Sequence, residues 1–378
     1  MNTTISCWPH LTRLAIASVC VALAACSSTS RPKPNEIQGV PVLQDVRTSW
    51  TANIGKIDFP LVVSARQDHV ALANSQGVVA VIDANTGKDV WRLKLEQAIS
   101  AGVGSDGQQF AVVTRSNELV TLQEGKVQWR KSLPAQSFTA PLVAGGRVFV
   151  LTADRSVIAF DGTTGRQIWT QQRPGEPLVL KQAGVLLAVK NTLVVGLSGR
   201  LTGLDPNTGV IRWESAIATP RGTNDIERLV DLVAPFDRVG DVVCVRAFQA
   251  AVGCVNADRG QGVWTRPSAG EMGVSGNETL LVAPMSNGVV QAFNRSNGER
   301  LWDTERLKYR ILSAPLVTPR GVLMADNGGW LYVLSLADGA LLNRIKLDSD
   351  ELATAPVFAG GRYVVVTREG RVTGLQIP

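Results

Sequence analysis

The 378-residue chain is 45% hydrophobic with 36 glycines, enough apolar material for a large core but interrupted too often for long helices. Its formal charge of +6 comes without any basic cluster interleaved with aromatics, which argues against nucleic-acid binding and for an ordinary solvated surface. With only His10 and His69 there is no material for a histidine triad or a multi-histidine metal site. No P-loop, zinc-type Cys/His spacing or G-x-S-x-G elbow occurs, so no metal and no cofactor is expected.

Residues 1–25 read as a leader. Arg13 precedes an apolar run from Leu14 to Ala25 that is too short to span a bilayer but suits a secretory signal. Leu23-Ala24-Ala25-Cys26 resembles the bacterial lipobox, which implies cleavage before Cys26 and lipidation of its thiol; the alternative is an ordinary signal peptide with a chance cysteine. Ser27 after the cysteine, by resemblance to sorted lipoproteins, implies the outer membrane. Several acyl chains would hold such a protein firmly on a membrane. Residues 26–40, rich in Ser, Thr, Pro and charge with Arg31-Pro-Lys-Pro-Asn35, read as a flexible tether, and 41–378 as one folded domain.

Val42 to Trp50 is predicted as the first strand. The organising unit appears next, at Gly77 to Trp91 (GVVAVIDANTGKDVW), and returns at a period of roughly 40 residues. Val78 to Ile82 is a β-branched and aliphatic run; Asp83-Ala84-Asn85-Thr86-Gly87 supplies turn chemistry; Trp91 follows four residues after the glycine. The same Gly-to-Trp interval links Gly125 to Trp129, Gly165 to Trp169, Gly209 to Trp213, Gly260 to Trp264 and Gly298 to Trp302. A further copy, Trp330 to Gly339, has Asn343 in place of tryptophan. Segments such as Thr139-Ala-Pro-Leu-Val143 and Gly145-Gly-Arg-Val-Phe-Val150 complete four short strands per unit, the content of a propeller blade.

Two half-copies lie at opposite ends of the chain. Gly370 to Gln376 is a strand with no tryptophan after it, and Trp50 is a tryptophan with no strand before it. Together they make an eighth unit. The expectation is an all-β, eight-bladed β-propeller closed by an N-terminal strand joining three C-terminal ones, which avoids exposed sheet edges.

Cys244 and Cys254, the only cysteines beyond Cys26, fall on two arms of one predicted hairpin facing each other across a turn near Gln249. In an oxidising compartment they could form a disulfide; the alternative is two buried free thiols. Spacing between tryptophans stays near 40 until Trp213, and Trp264 then lies 51 residues further on. The excess falls in Ala216 to Asp231, a long polar loop of the kind that carries partner contacts.

The pattern Ala-x-Asp-x-x-Thr-Gly-x-x-x-Trp, fullest around Ile82 to Trp91, Phe160 to Trp169 and Leu204 to Trp213, resembles the tryptophan-docking repeat of quinoprotein dehydrogenases that bind pyrroloquinoline quinone. A periplasmic dehydrogenase is therefore the alternative function. Those enzymes are longer and place an adjacent cysteine pair beside the cofactor, and this chain has no Cys-Cys.

The lipobox, tether and compact blades together are similar to the outer-membrane protein assembly factor B family, propeller lipoproteins of the β-barrel assembly machine. That resemblance implies a non-enzymatic scaffold on the periplasmic face of the outer membrane. It also implies binding to the POTRA domains of the central barrel subunit and help to unfolded outer-membrane clients. A family contact of the form Leu-x-Leu-Arg is matched by Leu178-Val179-Leu180-Lys181, with lysine replacing the planar, bidentate arginine. A second, acidic contact after Arg-Leu is matched by Arg228-Leu229-Val230-Asp231; a further family aspartate meets Val233 or Ala234 here. Leu178 and Leu180 would be an apolar anchor with Lys181 and Asp231 as rim charges, or, alternatively, ordinary inward strand residues.

Overall fold

The computed structural model describes residues 32–37, 39, 45–173, 178–220, 223–225, 228–347 and 351–377. The expected leader and Cys26 lie outside these residues. So do Val42 to Gln44 of the first predicted strand and positions 221, 222, 226 and 227 of the polar loop.

The Asp-x-x-Thr-Gly signal builds the same turn wherever it is complete. Asp83 Oδ1 accepts the Asn85 and Thr86 amides at 3.0 and 2.8 Å and the Thr86 hydroxyl at 2.9 Å, while the Gly87 amide donates to the Asp83 carbonyl. Asp161 does the same with Thr163 and Thr164, and Asp205 with Asn207 and Thr208. Each turn therefore reverses the chain from the third strand of a sheet into the fourth.

Repetition gives eight antiparallel four-stranded sheets. Blades 1 to 7 use consecutive strands and span 64–94, 99–132, 142–172, 186–216, 232–267, 275–304 and 316–346. Blade 8 combines Val357–Ala359, Arg362–Val366 and Arg371–Gln376 with Arg47–Asn53 as its outermost strand. This is the eight-bladed propeller with a split closing blade that the repeat predicts. The first strands of successive blades approach one another, so they line the axis, and the fourth strands form the rim. The closing strand runs on past the expected end at Trp50 as far as Asn53, which lies opposite Arg371. Trp50 lies opposite Gly374, where a Cβ would stand 2.2 Å from the indole.

The glycine four residues before each tryptophan serves a different tryptophan. A Cβ on Gly87 would stand 2.4 Å from the ring of Trp50, one blade earlier, and the Trp50 Nε1 donates to Ala84 O at 2.8 Å. In the same way Trp91 faces Gly125, Trp129 faces Gly165, Trp169 faces Gly209, Trp213 faces Gly260, Trp264 faces Gly298 and Trp302 faces Gly339. Each of these seven indoles thus staples its blade to the next, removing on the order of 150–250 Å² from water, or roughly 4–6 kcal/mol before ordering costs. Blade 7 has Asn343 instead, and blade 8 explains why: its third strand pairs with Arg47–Asn53 and makes no such turn to receive an indole.

Cys244 and Cys254 lie directly opposite each other on the second and third strands of blade 5, and their sulfurs are bonded. The segment read as tether is not wholly free of the ring. Asn35 hydrogen bonds to the link between blades 6 and 7, and Ile37 packs on the apolar cluster beneath it.

Candidate functional site

Antiparallel blades put their turns on two faces. The third-to-fourth-strand turns and their tryptophan staples occupy one, here called the staple face. The turns between second and third strands share the other, the connector face, with the links from blade to blade. All the predicted partner residues fall on the connector face: Leu178 to Lys181 in the link from blade 3 to blade 4, and Arg228 to Asp231 in the link from blade 4 to blade 5.

The structure joins these two links through a residue that the sequence reading missed. Arg155, in the turn between the second and third strands of blade 3, donates from Nη1 to Asp231 Oδ1 at 3.0 Å and from Nη2 to the Leu178 carbonyl at 2.9 Å. Asp231 Oδ2 accepts the Leu180 amide at 3.1 Å, and the Asp231 carbonyl accepts the Phe248 amide from blade 5. The pair is largely enclosed, with side-chain exposures of 8% for Arg155 and 17% for Asp231. One charge pair therefore clamps parts of three blades. Asp231 is thus a buttress rather than the rim charge expected of it, since its carboxylate is spent inside the protein.

What the clamp presents is apolar and cationic. Leu178 is 42% exposed, Leu180 is half-buried and lines a shallow pocket with Phe138, Leu151, Leu197 and Val233, and Lys181 and Arg228 are exposed. The two predicted apolar residues are therefore divided: Leu180 holds the loop down and Leu178 is offered to solvent.

Arg155 does leave a mark in the repeat. At the residue closing the second-to-third-strand turn, φ is positive in seven blades, and Gly77, Gly199, Gly288, Gly329 and Gly370 fill five of those positions. Asn117, which tolerates this region, fills a sixth, and Arg155 fills the seventh at φ 64°. An arginine kept where glycine is easiest signals a side chain needed for its own sake.

The position two past Asp231 is Val233, buried and opposite Arg246 in the strand register. Arg246 is fully buried; its donors go to the Ser268 and Pro284 carbonyls at 2.7 and 2.9 Å and its Nε has no acceptor. With no carboxylate beside it, burial pushes this guanidinium down to about 10. The valine is therefore part of the core and leaves that side of the site without a second acid. Among the described residues, no three His, Cys, Asp or Glu side chains converge as metal ligands.

A family model described as outer membrane protein assembly factor BamB matches residues 75–304 and 286–377. A BamB of Burkholderia pseudomallei is 35% identical over 369 residues, covering 96% of this chain and 97% of that protein. This chain belongs to the BamB family. A second BamB, from Bordetella pertussis, is 31% identical over 93% of this chain and 93% of its own length. The crystal structure of BamB from Moraxella catarrhalis superposes with a TM-score of 0.80 at 22% identity, covering 88% of this chain and all (100%) of that one. The quinohemoprotein alcohol dehydrogenase of Comamonas testosteroni shares the fold, with a TM-score of 0.68 at 14% identity. The blade repeat accounts for that likeness, and the BamB relatives carry the name of an assembly factor, not of an enzyme.

Proposed function

We propose that this chain is a non-enzymatic scaffold for the assembly of β-barrel proteins in the outer membrane. On this reading it is anchored at the periplasmic face through Cys26 and docks the POTRA domains of the central barrel subunit with its connector face, near unfolded clients. Membership of the BamB family supports the general role. The observation that carries the docking site is the Arg155–Asp231 clamp, which holds an exposed leucine on a rigid backbone flanked by Lys181 and Arg228. A rigid apolar anchor with charges at its margin is a common division of labour at interfaces, and here it suits a partner with an acidic rim.

The test is Leu178→Glu in the full-length protein, followed by co-purification from solubilised outer membranes. Recovery of the barrel subunit should fall at least tenfold with the thermal midpoint unchanged. Undiminished recovery refutes the site. Asp231 is the wrong residue for a clean test of contact, because its carboxylate supports the Leu180 amide and pairs with Arg155.

A further inference from the structure

We propose that residues 35–37 are a strap fixing where the N-terminal segment leaves the ring. The strap makes the connector face at blades 6 and 7 the membrane-proximal part and leaves the blade 3–5 site standing clear of the bilayer. The orientation rests on the reading of Cys26 as the lipid anchor; the strap itself does not.

The strap is bonded at both its backbone groups and at a side chain. The Asn35 amide donates to the Lys308 carbonyl at 3.2 Å, the Asn35 side-chain amide donates to the Glu305 carbonyl at 3.1 Å, and Arg310 Nη2 donates to the Asn35 carbonyl at 2.9 Å. Ile37 packs against the cluster containing Leu307, Leu312 and Tyr332.

The receiving residues are themselves held in place. Arg310 Nη1 pairs with Asp326 Oδ2 at 2.9 Å, and Asp326, only 3% exposed, also accepts the Tyr332 hydroxyl at 2.6 Å and the Gly328 and Trp330 amides. Arg310 also sits 5.8 Å from the centre of the Tyr332 ring. A guanidinium fixed this way, part-buried and with its Nε already lacking an acceptor, needs a carbonyl for its remaining nitrogen, and Asn35 supplies it. The ring thus has a preformed receptor for one peptide unit of the N-terminal segment.

Chain length turns this contact into an orientation. From Cys26 to Asn35 is nine residues, which reach about 30 Å at most when extended. Pro32 and Pro34 stiffen that span, and Arg31 and Lys33 favour anionic headgroups. A tether ending at Asn35 keeps blades 6 and 7 within about 30 Å of the anchor, and so biases that part of the ring toward the bilayer.

Two measurements decide it. In the full chain, Glu-C protease cutting after Glu36 should be slow, and Asn35→Ala and Arg310→Ala should each speed it at least tenfold. Asn35 lies outside the blades, so its variant leaves the ring folded even if the Arg310 variant does not. Lipidated protein on phosphatidylethanolamine–phosphatidylglycerol vesicles would then carry a fluorophore through Arg306→Cys or Lys181→Cys. A headgroup-borne quencher should quench the first label more strongly than the second, and Asn35→Ala should erase the difference. Equally fast cleavage of all three proteins overturns the strap, and equal quenching at the two labels overturns the orientation. Failure of the protein to float with vesicles overturns the anchor reading and the orientation with it, while the protease result still decides the strap.

Discussion

The two faces of the ring are built from the same strands but follow opposite rules. On the staple face the units are near copies: a tight turn, capped by Asp83, Asp161 and Asp205 in three blades and by Asn256, Asn294 and Ser335 in three more, then a glycine that receives the tryptophan of the preceding blade, from Trp50 on Gly87 round to Trp302 on Gly339. On the connector face the units differ. One link is lengthened, one turn carries arginine where most carry glycine, and one link receives the N-terminal strap. Closing a ring demands equal angular steps, which equal parts provide, whereas recognition needs a site found once. The face that repeats is therefore the one that holds the ring, and the face that varies is the one on which the proposed partner site lies.

The largest effect should come from opening the ring. Deleting Arg47–Asn53 strips the edge of Arg371–Gln376 and removes Trp50 from the blade 1 turn. The loss should exceed about 5 kcal/mol, beyond the range of ordinary point changes, and be visible as a collapse of the thermal midpoint. An unchanged midpoint breaks the account of closure.

Next come the glycines. Gly87 and Gly145 both have positive φ, 71° and 58°, but only Gly87 is covered by an indole, while a Cβ on Gly145 meets nothing within 4 Å. Gly87→Ala should cost about 3–4 kcal/mol, backbone strain plus displacement of the ring, and Gly145→Ala about 1 kcal/mol from strain alone. Equal urea midpoints for the two would refute the staple as the reason for that glycine.

The clamp should fail locally. Arg155→Ala leaves Asp231 and the Leu178 carbonyl without their donor, at a cost of about 2–3 kcal/mol. Amide exchange should accelerate through 178–181 and 231 while the blade cores keep their protection; uniform loss of protection would place Arg155 among the structural residues instead.

A smaller contrast lies within the staples. Trp264 Nε1 donates to Arg295 O at 2.7 Å, whereas Trp213 Nε1 is buried with no acceptor. Trp264→Phe should therefore cost about 1 kcal/mol more than Trp213→Phe in paired denaturation curves.

The mildest perturbation is acid. Asp83 is held below the ordinary aspartate value of 3.8 by the Thr86 hydroxyl, Asp161 by the Thr164 amide and Asp205 by the Arg212 guanidinium. A depressed folded pKa contributes stability that is fully present above 3.8 and is lost as pH falls through the lowered value. The thermal midpoint should hold from pH 7 to 5 and drop below about 3.8, less steeply in Asp161→Asn.

What the sequence determined by itself is what local chemistry and periodicity can write. Asp83 to Gly87 specify a turn because every bond in it spans at most four residues, and the interval from Gly87 to Trp91 marks the unit. Counting units, with Trp50 and Gly370 to Gln376 as halves of one, yields both blade number and closure. That Cys244 faces Cys254 also follows from register within a single hairpin, while the bond between them is read from the structure. Only the tertiary structure decided that each indole serves the next blade's glycine, since the repeat looks the same whichever blade the ring faces. It alone joined Arg155 to Asp231, 76 residues apart, and turned the expected rim charge into a buttress. It alone seated Asn35 on Arg310, across 275 residues, in a segment whose composition reads as free chain. Contacts of that reach leave no period in the chain, because they depend on which links the closed ring brings side by side.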